Sequence, residues 1–189
     1  MLDRTQEKID ISGHNSKVVG GDDHSTVHHN YQKTSKLSKL FDRLNDEYNS
    51  EKQIDRINED LQRYLDRRDT IGLEQKLIDA NKEHLYEDAI WLKDQYARKL
   101  TKFQFFEPAQ DIHAFLLSIV LEKFRNLIYP LIRDNKSDTE LFKVISSDII
   151  NPLVSILQEE GCNDIMGLSS TDIEGMVYFL TGRCHIKWV

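Results

Sequence analysis

The residues in this sequence that come nearest to a metal site are His24, His28 and His29, with Asp22 and Asp23 beside them. Imidazole and carboxylate together suit zinc or nickel. Ligands must converge, however, and His24 and His28 share a face only on a helix. The surrounding stretch, IDISGHNSKVVGGDDHSTVHHN, has the Gly, Asn, Asp and Ser content of turns. The expectation is a polar turn region with no bound metal or cofactor, and a metal-binding or hydrolytic effector using these histidines is the first alternative.

Hydrolytic chemistry needs a nucleophile beside a base that a third group orients. Cys184 and His185 are sequence neighbours, and adjacent side chains of an extended tail point opposite ways, which argues against a dyad. His113 opens the most apolar segment with Asp111 too near in sequence to face it, and reads as a satisfied, partly buried structural histidine. His14 and His84 have no partner at any regular spacing and read as solvated. Gly20-Gly21 lacks the lysine and serine of a phosphate loop, and no GxGxxG occurs. Glu59, Asp60, Asp66 and Asp69 read as a solvated helix face rather than a two-metal site. Those acids offset the small basic cluster of Arg63, Arg67 and Arg68. A nucleic-acid-binding regulator is therefore the second alternative, further disfavoured by the formal charge of −7. No catalytic residue is expected.

The elements that carry these residues follow from composition and period. The chain has 189 residues, 39 % of them apolar and 30 % charged, enough for one sizeable core or a smaller core with an arm. Eight glycines and three prolines leave long uninterrupted segments, which favours helices. Cys162 and Cys184 are too few to staple a domain and do not have zinc spacing; free buried thiols in a reducing cytoplasm are expected. The polar opening residues lack a secretory pattern, and charges at 122, 123 and 125 interrupt the longest apolar run, so no membrane span is expected.

The core is expected at Ile112 to Ile132, read as one buried helix started by Pro108 and kinked or ended by Pro130, with Glu107 and Asp111 near the positive end of its dipole. Upstream, Leu37, Leu40, Phe41, Leu44 and Tyr48 form one helical stripe, and Ile54, Ile57, Leu61, Tyr64 and Leu65 a second, with Ser50 as a possible cap between them. Gly72 separates a short element from the stripe Leu85, Ala89, Leu92, Tyr96, Leu100 and Phe103. These narrow stripes point to a helical hairpin or a coiled-coil-like stem that needs a partner, a second copy included. Downstream, Arg133 to Asp138 reads as a loop and Leu141 to Ile149 as a helix. Asn151-Pro152 reads as the cap of a restarted helix that stops at Gly161. Ser169 or Ser170 caps a last helix carrying Ile173, Val177 and Leu180, with Gly182 as its C-cap, and the segment from Arg183 to Val189 is expected to dock.

The organisation expected is mainly α: a helical bundle with a hairpin or coiled-coil-like stem and a short Gly/Asn/His-rich β-like arm. The arm spans 1–35, the amphipathic stem 36–103, and the core domain with its docked tail 104–189.

The closing sequence from Ile173 to Trp188, a helix ending in Thr-Gly followed by Cys-His and a terminal Trp, resembles the small helical C-terminal domains of bacterial ABC-ATPase three-component conflict systems. The likeness covers roughly 84–189. The arm also resembles the Ser-Gly-Asn and Gly-Asp-Asn rich leaders of bacterial defence and signalling proteins. This chain departs from the usual architecture in having no room for a fused nuclease or protease. The resemblance implies a non-enzymatic adaptor or minimal effector with a protein partner, an ABC-type ATPase or an effector. It also implies that Arg183, His185 and Trp188 belong to a docking or structural signature, and it carries over no catalytic residue.

Overall fold

The computed structural model describes residues 35–189. The expectations for the β-like arm and for His14, His24, His28 and His29 lie outside that range. Nine α-helices make up most of the described residues, which contain no strand: α1 (Lys36–Asn49), α2 (Glu59–Leu65), α3 (Leu73–Asp79), α4 (Tyr86–Phe103), α5 (Glu107–Lys123), α6 (Tyr129–Arg133), α7 (Asp138–Val144), α8 (Asn151–Glu160) and α9 (Ser170–Gly182).

Helix α5 is apolar nearly all round, as a central helix must be. It buries Ile112, His113, Leu116, Leu117 and Val120 among others. Its neighbours differ from the expected stem. α1 and α2 lie against α5, whereas α4 packs chiefly on α9. The stripes of α1 and α4 are thus covered by elements from later in the chain rather than by each other. An amphipathic stripe specifies that a helix needs cover but does not specify which helix supplies it.

Two prolines set the geometry of the long helical runs. Pro130 and Pro152 each lack an N–H and crowd the carbonyl four residues back. The chain answers with a wider turn ahead of each: Phe124–Ile128 and Ile145–Ile150 are π-helical. Tyr129 N donates to Phe124 O, and Asn151 N to Ser146 O, one residue further back than in an α-helix. The helix therefore continues through both prolines. Asn151 is itself helical, with φ −58° and ψ −45°, and does not act as the expected N-cap.

The turn at Ser50 also differs from expectation. Ser50 closes α1, donating its hydroxyl to Asp46 O at 2.8 Å, and α2 starts later, capped by Asn58, whose side chain accepts from Leu61 N at 2.9 Å. The intervening loop is held by Gln110, a fully buried residue of α5. Its Oε1 accepts from Asn58 N at 2.6 Å and its Nε2 donates to Arg56 O at 2.9 Å. Glu107 and Asp111 do more than face the α5 dipole: Glu107 pairs with Arg43, and Asp111 accepts from Asn58 Nδ2 at 2.9 Å.

α9 starts at a tight polar knot. Asp172, 2 % exposed, accepts from Ser169 N at 2.8 Å and Ser169 Oγ at 2.7 Å, as a residue in the first turn of a capped helix does. The same carboxylate pairs with Lys99 of α4 at 2.7 Å, which ties the start of α9 to its packing partner.

Candidate functional site

The C-terminal end of α9 and the tail after it carry the three residues singled out in the sequence, Arg183, His185 and Trp188. The helix ends in a Schellman arrangement: His185 N donates to Leu180 O at 2.9 Å and Cys184 N to Thr181 O at 3.0 Å. The left-handed position is Cys184, with φ +67°, and not Gly182, which remains helical. The tail then turns back onto the domain. Ile186 and Trp188 go inside, while Lys187 and Val189 face solvent.

Trp188, 2 % exposed, fills an aromatic socket. It stacks on Tyr178 with ring centroids 6.2 Å apart and meets Phe124 edge-on at 5.1 Å. Its Nε1 donates to Thr181 Oγ1 at 3.1 Å, so the one polar atom of the indole is satisfied inside the socket. Thr181 in turn donates its hydroxyl to Val177 O at 2.8 Å, and its carbonyl accepts from Lys76 of α3. Thr181 thus joins α9, the tail and α3. In sequence Thr181 stands out only as part of the Thr-Gly that ends the helix; a polar residue at the end of an apolar helix is the signal of its linking role.

His185 is also buried, and its Nε2 lies 3.2 Å from Asp66 O, just after α2. Burial, aided by the nearby Arg68 charge, lowers its pKa and favours the neutral imidazole. Its Nδ1 is buried without a partner. Arg183 stays half exposed, its guanidinium 5.4 Å from the centre of the Phe179 ring, while its carbonyl accepts from Arg68 N at 3.2 Å. The side chains of His185 and Trp188 are therefore turned inward, locking the tail, and only Arg183 of the three presents atoms to solvent.

The Cys184 thiol lies 3.3 Å from Asp69 O and 3.4 Å from Ile71 O, while His185 Nε2 lies against Asp66 O, and the backbone at Cys184 is left-handed rather than extended as expected. Both cysteines are free; Cys184 is buried as expected, but Cys162 is exposed, because it follows Gly161 in the turn after α8. His113 is fully rather than partly buried: Nδ1 lies 3.2 Å from Tyr96 Oη and Nε2 has no partner. Burial pushes its pKa down to about 4. His84 is exposed, 3.9 Å from Asp138. The carboxylates of Glu59, Asp60, Asp66 and Asp69 and the cations of Arg63, Arg67 and Arg68 are all solvent-exposed. Among the described residues no group of His, Cys, Asp or Glu is placed to hold a metal ion.

A cleft of about 400 Å³ with Arg67, Lys93, Phe179 and Arg183 on its walls adjoins the end of α9, and two larger ones are formed by neighbouring elements. One of about 560 Å³ lies among α1, α2, α5 and α8, with Leu40, Phe115 and Ile156 on its walls. The other, about 520 Å³, lies between the loop after α2, α3, the π turn and the tail itself, and Trp188 and His185 form part of its wall. No helix among the described residues is long and apolar enough to cross a membrane.

Compared with known families, residues 72–188 match C-terminal domain 9 (CTD9) of the ABC-three component (ABC-3C) systems. The match opens at Gly72, the N-cap of α3, and closes on Trp188 in its socket, so it takes in more than half of the chain. No curated protein and no solved structure matches.

Proposed function

This chain belongs to the CTD9 family of ABC-three component systems, and from that membership we propose that it is a non-enzymatic adaptor of a bacterial conflict system, working in the cytoplasm and docking to the system's ABC-type ATPase or to an effector. Helices α1 and α2 lie outside the matched region and pack on α5. In this reading they form the chain's own addition to a shared C-terminal module. Self-association belongs to the same reading, with Tyr48, Ile71, Ile78 and Trp91 as the exposed large apolar residues of 36–103, of which Tyr48, Ile78 and Trp91 are those a second copy would cover.

The observation that supports a binding role best is the use made of the buried ionisable groups. Glu47 takes Arg43 and Lys52, Lys82 takes Asp138, Asp172 takes Lys99, and Lys76 takes a backbone carbonyl. The pairs of Lys82, Asp172 and Lys76 each tie one element to another, and Glu47 ties the end of α1 to the turn after it, as scaffolding does. Catalysis draws on several perturbed groups converging in a cleft, and His185, the perturbed group at the cleft beside the tail, lies against Asp66 O. The test is co-expression of the tagged full chain with the other components of its system, followed by affinity capture and measurement of turnover. A stoichiometric complex with the ABC component or the effector is expected. Absence of any complex, or hydrolysis that survives removal of the ATPase component, would overturn the reading.

A further inference from the structure

The charged groups lining the cleft beside the tail are mainly cations, although the protein as a whole is acidic. Arg68, Arg125 and Lys187 line it as exposed cations beside Asp69 and Asp79, and a fourth, Lys76, is buried there with its ammonium already held by Thr181 O. Among the described residues none of those four cations makes an ion pair, although pairs are available elsewhere on the surface, such as Arg43 with Glu107. They come from four separate places: the loop after α2, α3, the π turn and the tail. The two acids have other tasks, since Asp69 accepts from Thr70 N at 2.6 Å and Asp79 from Gln75 Nε2 at 2.8 Å. Arg68, Arg125 and His185 line the same cleft, where burial first and then the two guanidinium charges hold the imidazole towards its neutral form. Unpaired like charges around a cleft are held there at an electrostatic cost that an anionic ligand relieves.

We propose that this cleft is where the adaptor receives its protein partner, by taking an acidic segment with at least one apolar side chain. The apolar requirement comes from Ile71 and Val189, 39 % and 72 % exposed, which line the same cleft. Free phosphate would use the charges and leave those side chains in water, and no glycine loop presents backbone N–H groups there. The locked tail thereby gains a purpose: Trp188 and Ile186 fix the strand of chain that carries Lys187 and Val189 to the rim. The identification of the cleft rests on the adaptor reading only for the nature of the ligand.

The test uses the full chain and a short fluorescein-labelled peptide of alternating glutamate and leucine, followed by anisotropy. Binding is expected, at least about tenfold tighter than for the glutamine counterpart and weaker as salt rises. The double variant R68E/R125E is expected to lose at least about tenfold in affinity. Both side chains are exposed, and the one structural bond of Arg68 is made through its backbone, so the fold should survive; circular dichroism checks this. K39E/K143E, which makes the same charge change on exposed positions of α1 and α7, should bind as the parent does. Failure of the peptide to bind, equal binding by R68E/R125E, or displacement by inorganic phosphate at lower concentration than by unlabelled peptide would each overturn the assignment. Capture of the ABC component by R68E/R125E as well as by the parent sinks the cleft and spares the adaptor reading. Peptide binding without any captured component does the reverse.

Discussion

Gly175 of α9 sits directly on the backbone of Leu92 in α4: a methyl group added at 175 would lie 2.5 Å from the Leu92 carbonyl oxygen and 2.9 Å from Tyr96 Cβ. The two helices approach this closely only because position 175 has no side chain. Gly175→Ala should therefore cost about 2 kcal/mol or more, since neither a backbone carbonyl nor a core tyrosine can yield cheaply. Urea unfolding checks it; an unchanged midpoint would show that α4 and α9 are further apart than described.

The Thr181–Trp188 bond should behave as one unit with the socket. Trp188→Ala should lose about 3–5 kcal/mol through the cavity it leaves, and Thr181→Val about 1 kcal/mol through the lost hydrogen bond. The double variant should lose less than the sum, because both changes remove the same bond. Urea denaturation of the four proteins followed by far-UV circular dichroism tests this, since Trp188→Ala removes one of the two tryptophans and with it the buried fluorophore.

His113 predicts how stability depends on acid. Its folded pKa of about 4 lies below the ordinary 6.5, so the unfolded chain takes up this proton first as pH falls. Its neutral form is fully compatible with the fold above about pH 6.5, and the stability is lost between there and about pH 4, to a total of about 3 kcal/mol. Subtracting the pH profile of His113→Leu from that of the parent isolates this contribution. A difference that is flat across the window would mean that the imidazole is not held neutral.

Gln110→Ala should free the loop between α1 and α2. Its amide serves Asn58 N and Arg56 O, and removing it takes the side-chain partner from two part-buried backbone groups, at a cost of about 1–2 kcal/mol. Hydrogen exchange should quicken at Asn58 more than at Leu116 in the core of α5. Equal acceleration at both would point to global loosening instead.

Much of this architecture is legible in the residues before any coordinates. Leu37, Phe41 and Leu44, then Ala89, Leu92, Tyr96, Leu100 and Phe103, recur at helical spacing and are buried. Ser169 with Asp172 marks a helix start by its own chemistry. Three features resist such reading for physical reasons. Which stripe covers which is a long-range matter, so α4 meeting α9 had no local signal beyond Gly175. Proline read alone means a break, and only the π turn before Pro130 and Pro152 lets the helix continue. The tail shows its aromatic end in sequence, but the inward turn of His185 and Trp188 depends on Thr181 and Tyr178 of the preceding helix and on Asp66 and Phe124 from two distant segments.

The central claim is that this chain works by binding another protein of its three-component system. Titration calorimetry of the purified full chain into the purified ABC component and into the effector, each in turn, addresses it most directly. Saturable binding to one of them in the micromolar range or tighter, equivalent to about −8 kcal/mol or better, is the result expected. No binding to either at concentrations of about 100 μM would contradict it.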